Sequence, residues 1–311
     1  MKRSETFKRV AVTGATGLIG RHLCRHFAGH GWQVRGLVRD LKDLPPSPRV
    51  EYFHCHLPER IDPAGLDGAD VLVHAAYTTR FQRPDEARRV NEEGSRRLFE
   101  LARRLGVGQI LFLSSFSSHP DARSYYGRSK HAVERLLDLD RDLALRAGLV
   151  LAADGGLFCR IVGMLRCARL VPVVGGNRIV QTLHVDDLCQ VCRRAIETRA
   201  TGLLHAAEPQ GQAFCDLLRL VLEHLQRRCV LLPVPFAPVW AGLRLAERLG
   251  AKLGVSSENL LGIRMLRHIP VEHDLARLGV EVRSSAQSVA ALMAPIILRE
   301  APNDRRSKPC C

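Results

Sequence analysis

The 311-residue sequence predicts an α/β protein, with a doubly wound parallel sheet and a smaller C-terminal lobe. Three observations carry this. The first half alternates short apolar runs with helix-periodic segments, the pattern of a parallel sheet with right-handed crossovers. A glycine loop, "VTGATGLIG", joins the first apolar run to the first helix. From about residue 155 the alternation loosens into irregular helix and strand pieces.

The elements follow in order. "RVAVTG" reads as a strand ending in glycine, and "LIGRHLCRHFAGHG" as a helix closed by Gly31. "WQVRGLV", "VEYFHC" and "DVLVHAA" are the next strands, and "DEARRVNEEGSRRLFELARRLG" is one long helix ending at Gly106. "QILFLSS" is another buried strand. "YYGRSKHAVERLLDLD" carries Ala132, Val133, Leu136 and Leu137 at helical spacing, and "GLVLAA" closes the alternation. Residues 1–154 are expected to form a dinucleotide-binding domain. Residues 155–300 are expected to form a substrate-binding lobe that returns some elements to the sheet. Residues 301–311, ending "SKPCC", read as a loose polar tail. The segment from Pro233 to Leu266 reads as helices that cover something.

Composition narrows the function classes. The most apolar stretch, residues 229–243, is short and interrupted by Pro233, Pro235 and Pro238, so no integral membrane segment is expected. The start lacks the apolar core and cleavage site of a signal peptide, and a cytoplasmic protein is the expectation. A net charge of +14 raises nucleic-acid binding. The basic residues, however, are scattered among acids, with only 5% aromatics, so no nucleic-acid partner is expected. Attraction for phosphorylated cofactors is the milder consequence. Ten cysteines follow no secreted framework. The Cys189–Cys192 pair lacks the further ligands that zinc needs, so these read as core thiols and no metal is expected.

Gly14, Gly17 and Gly20 stand between a strand and an amphipathic helix. Such spacing permits a tight turn, close approach of a pyrophosphate to the backbone, and close helix–strand packing in a Rossmann-type fold. The free N–H groups at the helix start then face the phosphates. The loop residues Ala15, Thr16, Leu18 and Ile19, with Ala75 and Ala76 ending "VLVHAA", are assigned to the cofactor site. The second strand ends in Val38 and Arg39, where a basic side chain favours the 2′-phosphate of NADP; Asp40, one step on, leaves NAD open.

Two adjacent tyrosines precede a lysine. On a helix turning about 100° per residue, Tyr126 and Lys130 lie about 40° apart, whereas Tyr125 and Lys130 lie about 140° apart. Tyr126 therefore shares the lysine's setting, where an ammonium lowers a phenol pKa toward use in acid–base chemistry. Ser114 and Ser115 end a strand at the sheet edge where open α/β folds bind ligands, and Asn91 falls on the preceding helix.

Together, "TGATGLIG", "VLVHAA", "VNEEGS", "LFLSS", "YGRSK" and "LHVDDL" resemble the extended short-chain dehydrogenases/reductases, in the NAD-dependent epimerase/dehydratase group, to about residue 295. The resemblance implies a catalytic set of Ser115, Tyr126 and Lys130, with Asn91 holding a proton-relay water. It further implies proton exchange at Tyr126 during hydride transfer at a secondary alcohol or ketone of a small molecule, with a nucleoside-diphosphate sugar as substrate. Epimerisation and net oxidoreduction both stay open. Dehydration is disfavoured, because "SSFS" offers Ser117 but no Asp-Glu pair. A homodimer also stays open.

Three departures mark the substrate side. His56 stands where the family has an adenine-contacting Asp. Ala147 and "LAAD" replace a proline and a Tyr-Gly-Pro turn. Where a diphosphate-clamping arginine is usual, Arg178 comes early and Val180 and Gln181 occupy the nearer positions; Arg160, Arg166, Arg169 and Arg264 read as solvated helix residues. These departures sustain a second reading, an NADPH-binding structural protein similar to the accessory subunit of respiratory complex I.

Overall fold

The computed structural model describes residues 8–42, 44, 47, 49–78, 84–250, 257–264 and 267–298. The N-terminal seven residues, the tail at 301–311 and part of the Pro233–Leu266 segment lie outside the described residues.

Seven strands build the parallel sheet: β1 (Arg9–Thr13), β2 (Gln33–Val38), β3 (Val50–His56), β5 (Val71–His74), β6 (Gln109–Ser115), β7 (Leu143–Ala147) and β12 (Gly202–Ala206). The two-residue β4 (Arg60–Ile61) adds antiparallel to β3, giving the order β12-β7-β6-β5-β1-β2-β3-β4. Chain direction across the sheet reverses at β1, so the carboxyl ends of β1 and β5 border the crevice where such sheets hold ligands.

Residue alternation covers both faces. Val10 and Val12 pack with Leu23 and Phe27 of α1 (Leu18–Gly29) and with Leu188 and Val191 of α6 (Val185–Glu197). Ala11 points to the opposite core, with Leu98 and Phe99 of α3 (Gly94–Arg104). Burial on both sides explains why these strands read as continuous apolar runs.

Two expectations need correction. The helix expected at 85–106 is broken into α2 (Pro84–Arg88), a π-helical turn at Arg89–Glu93, and α3. The π turn brings Asn91 inward, where it is buried, and Gly94 lies so close to Leu57 that an added Cβ would sit 2.7 Å from that side chain. After the tyrosine helix, α4 (Tyr125–Glu134), the strand that joins the sheet is β7 and not "GLVLAA". The chain leaves at Gly148, where a Cβ would meet the Gln181 carbonyl oxygen at 2.4 Å. This lets β8 (Leu149–Leu151) pair in parallel with β11 (Thr182–His184) outside the main sheet.

Beyond β8, α5 (Gly156–Cys167), β9 (Leu170–Val174), α7 (Phe214–His224) and α11 (Ser285–Leu298) enclose a separate core around Phe158, Leu165, Leu218 and Met293. The short β10 (Ile179–Val180) and β13 (Gln212–Ala213) pair antiparallel. Strand β14 (Val230–Val234) pairs with β9 and leads into α8 (Phe236–Arg248), followed by α9 (Ser257–Arg264) and α10 (Glu272–Leu278). Elements α6 and β12 lie with the main sheet. Among the described residues no helix is long and apolar enough to cross a membrane.

Candidate active site

The glycine loop is shaped for a close-lying ligand. Gly14 has φ +65°, and a Cβ there would meet the Ala76 backbone at 3.0 Å. Gly17 caps the start of α1 and donates its N–H to the Gly14 carbonyl at 2.8 Å. At Gly20 a Cβ would lie 2.0 Å from that carbonyl oxygen, so only glycine lets α1 approach the loop this closely. Ala15 is buried beneath the turn and Thr16 is exposed, while Leu18 and Ile19 are half-buried in the first turn of α1. The residues fit a dinucleotide: a narrow backbone cradle, free N–H groups and a helix start.

Beyond Thr16 an open cleft of about 560 Å³ is lined by Arg39, Asp40, Lys42, Leu44 and His56. The Asp40 carboxylate accepts a hydrogen bond from the Lys42 backbone N–H at 3.0 Å. His56 is thus placed at this end of the cradle, together with two cations.

At the other end, strand alternation separates the two serines. The Ser114 hydroxyl donates to Glu134 Oε1 at 2.5 Å, and Arg146 grips the same carboxylate with two bonds, at 2.9 and 2.7 Å. Ser115 faces the other way, toward the Tyr126 hydroxyl. Tyr125 turns elsewhere: its phenol lies toward Ser129 and Asn91, and its backbone N–H donates to Glu258 of α9 at 2.7 Å. Lys130 is buried, donates to the Leu113 carbonyl at 2.7 Å, and lies over the rings of Tyr77 (4.5 Å), Phe112 (4.6 Å) and Tyr126 (5.9 Å). Burial brings its amine down to about 7, partly opposed by the charge of Glu134. The Tyr126 phenol is raised by burial, against the lowering effect of the Ser115 hydrogen bond. This differs from the lowering expected from Lys130, whose ammonium engages a carbonyl and ring faces.

Asn91 braces backbone. Its Oδ1 accepts from the Thr78 N–H at 2.9 Å and its Nδ2 donates to the Thr78 carbonyl at 3.0 Å. Beside it, buried His74 contacts Thr13 Oγ1 through Nδ1 (2.8 Å) and Ser95 Oγ through Nε2 (2.9 Å). The Ser95 hydroxyl donates to the Asn91 carbonyl, and Thr13 Oγ1 accepts from the N–H groups of Ala75 and Ala76, each at 3.1 Å. Burial first, then the charge of Lys130, holds the imidazole down to about 3, so His74 is neutral. Sequence reasoning missed Tyr77, whose ring meets that of Tyr126 edge-on at 5.2 Å. Its place just after "VLVHAA", at the carboxyl end of β5, was the available signal.

The departures acquire geometry. In the "LAADGG" loop, Asp154 is clasped to α1: Arg21 Nη2 donates to its carbonyl at 2.7 Å, Arg21 Nε to its carboxylate at 3.1 Å, and His22 Nε2 lies 3.0 Å from Oδ1. Gly156, φ +76°, packs on Leu18. The loop therefore leans over the start of α1. Gln181 is fully committed: Nε2 donates to the carbonyls of Glu208 and Ile269 at 3.0 and 2.9 Å, and Oε1 accepts from the Ile269 N–H at 2.8 Å. Arg178, Arg160 and Arg169 are exposed, Arg166 is half-buried, and Arg264 lies over the Phe236 ring at 4.8 Å. His184 caps α6, its Nδ1 accepting from the Asp186 N–H. Cys189 and Cys192 are buried free thiols, raised by burial, and no metal-holding group occurs among the described residues.

A parallel doubly wound sheet, a glycine cradle at its switch point and a Ser–Tyr–Lys cluster at its carboxyl edge define a Rossmann-type dinucleotide-binding protein. The model of the NAD dependent epimerase/dehydratase family matches residues 10–147. The chain is 30% identical over 236 residues to a 3-diazoavenalumate denitrifying reductase of a Streptomyces species, spanning 65% of this chain and 76% of that protein. It is 28% identical over 223 residues to the ceramide reductase of Caulobacter vibrioides, spanning 68% of each. Among solved structures, gox2253 superposes with TM-score 0.76 at 20% identity, covering 94% of this chain and 99% of that one. MoeE5, in complex with UDP-glucose and NAD, gives 0.72 at 20% identity, covering 94% and 100%. This chain belongs to the NAD dependent epimerase/dehydratase family.

Proposed function

We propose that the protein is an NADP-preferring oxidoreductase that reduces the carbonyl of an apolar ketone. The observation that carries the reading is the half-buried Tyr126 phenol, facing Ser115 and sharing a helix face with Lys130. A nicotinamide held along the glycine cradle would supply the hydride. Tyr126 Oη donates its proton to the carbonyl oxygen, and burial, by keeping the phenol protonated near neutral pH, suits it to the acid role. Ser115 Oγ holds the same oxygen in line. Lys130, its amine brought down to about 7 by burial, would stand beside the nicotinamide ribose and could return a proton to the site. Asn91 serves by fixing the Thr78 backbone and the π turn rather than by offering its own amide. Arg39 and Lys42 favour the 2′-phosphate, with Asp40 turned to its own backbone.

The resemblance suggested a nucleoside-diphosphate sugar. Such a substrate needs a cation where Gln181 is committed to three backbone groups. Both curated relatives described above are named reductases, one of a ceramide. These observations favour net reduction and an apolar molecule over epimerisation of a sugar.

The test is NADPH oxidation with long-chain ketones and with UDP-sugars, using the parent and Tyr126→Phe. Turnover of the ketones, reduced at least about 100-fold in the variant, is expected. Turnover of UDP-sugars alone would sink the apolar substrate, and full activity in the variant would remove Tyr126 from its role. Tight NADPH binding without any turnover would favour the structural reading.

A further inference from the structure

Exposed apolar side chains are concentrated in one part of the chain. Of the eleven large apolar side chains left exposed among the described residues, nine lie between Leu157 and Leu249. The β9–β14 ribbon accounts for several. Its two strands pair in register, Val230 beside Leu170 and Leu232 beside Pro172. Val171, Val173 and Leu231 turn inward to the lobe's core. The outer face therefore consists of Leu170, Pro172, Val230 and Leu232, with Leu170 53% and Val230 60% exposed. A soluble surface rarely leaves such a patch uncovered without a partner.

Two further elements repeat the pattern. Helix α5 carries Leu157, Met164 and Cys167 on its exposed side, with Arg160 among them. Helix α8 has no buried residue, and exposes Leu245, with Leu249 (78% exposed) just beyond its end, beside Arg244 and Arg248.

The chain segments that carry this surface are basic. No carboxylate occurs from Gly155 to His184, whereas the exposed Arg160, Arg169 and Arg178 do. From Gln226 to Ser256 the sole acid is Glu247, and its carboxylate is taken by the Ser257 N–H and hydroxyl at 2.7 and 2.6 Å. Arginines stand at the root of the ribbon. Arg169 directly precedes β9, Arg227 and Arg228 precede β14, and the strand starts are joined by the Val230 N–H to Arg169 carbonyl bond at 2.9 Å.

We propose that this face of the C-terminal lobe docks on an anionic lipid bilayer. The ribbon's apolar side chains enter the headgroup–acyl boundary, and Arg169, Arg227 and Arg228 at its root meet lipid phosphates. Apolar burial and electrostatic attraction together are what a surface-bound protein uses, without any segment crossing the bilayer.

The experiment is vesicle co-sedimentation of the full chain, with vesicles of pure phosphatidylcholine and vesicles holding roughly one-quarter phosphatidylglycerol. Binding to the anionic vesicles is expected, and it should fall as salt shortens the Debye length from about 10 Å to 3 Å. The double variant Arg169→Glu, Arg228→Glu should bind at least about 25-fold more weakly, at about fivefold per arginine. Val230→Ser with Leu232→Ser should weaken binding in both low and high salt. All four positions are exposed, and circular dichroism checks that each variant is folded. Absence of binding to anionic vesicles overturns the proposal, as does equal binding by the variants. A dimer in light scattering that the same substitutions dissolve also overturns it, because a second copy would then cover the face. Ketone turnover is not read, so this test stands or falls apart from the proposed activity.

Discussion

Replacing Lys130 with methionine should make the protein more stable at neutral pH. The amine, buried at 4% exposure, is lowered from 10.5 to about 7. At about 1.36 kcal/mol per pH unit, holding it charged costs at most about 5 kcal/mol. Methionine removes that cost but forfeits the bond to the Leu113 carbonyl and the ring contacts, together about 2–3 kcal/mol. A net gain of about 1–3 kcal/mol remains below pH 7. Between about 7 and 10.5 the unfolded parent binds a proton that the folded parent has released, so parent stability rises with pH there. The variant's advantage is therefore full below 7 and shrinks toward pH 10.5. Urea unfolding of both proteins from pH 6 to 10, without cofactor, reads this directly. A variant less stable at every pH, or a difference that does not change with pH, would refute the reasoning.

Arg39→Ala should weaken NADPH about 10- to 100-fold, the value of a charge-assisted phosphate contact, and leave NADH within about twofold; fluorescence titration of both decides it. Gly20→Ala places a methyl 2.0 Å from the Gly14 carbonyl oxygen, and should cost about 1–3 kcal/mol while abolishing the thermal shift that NADPH gives the parent. Asp154→Ala should cost under about 1 kcal/mol, because the clasp faces solvent. Burial raises the Asp154 carboxyl, but hydrogen bonds from His22 and Arg21 outweigh it and hold it low. The clasp's contribution should therefore be present above the ordinary carboxylate range and vanish as pH falls through and below it, which hydrogen exchange at residues 152–156 can follow.

Local rules account for much of what the sequence made legible. Glycine spacing after a strand located the cradle, and helical rotation distinguished Tyr126 from Tyr125, whose phenols have different partners in the fold. What stayed hidden depends on distant residues. β7 is a short run of leucine and alanine with Arg146 inside it, and it becomes a strand because β6 and β12 flank it. Gln181 is withdrawn from ligand duty by Ile269, far along the chain. The Asp154 clasp needs α1, and the π turn needs Leu57 beside Gly94. No period in the local sequence encodes any of these.

The buried contacts around His74 admit one arrangement of hydrogens. Thr13 Oγ1 already accepts two N–H groups, so its own hydrogen must point to His74 Nδ1. His74 then carries its hydrogen on Nε2, facing Ser95, whose hydroxyl ends on the Asn91 carbonyl. Every side-chain donor in the row points from β1 toward the π turn. The row thus acts as a one-way latch, and it sets the pitch of Ala75 and Ala76 from inside the core.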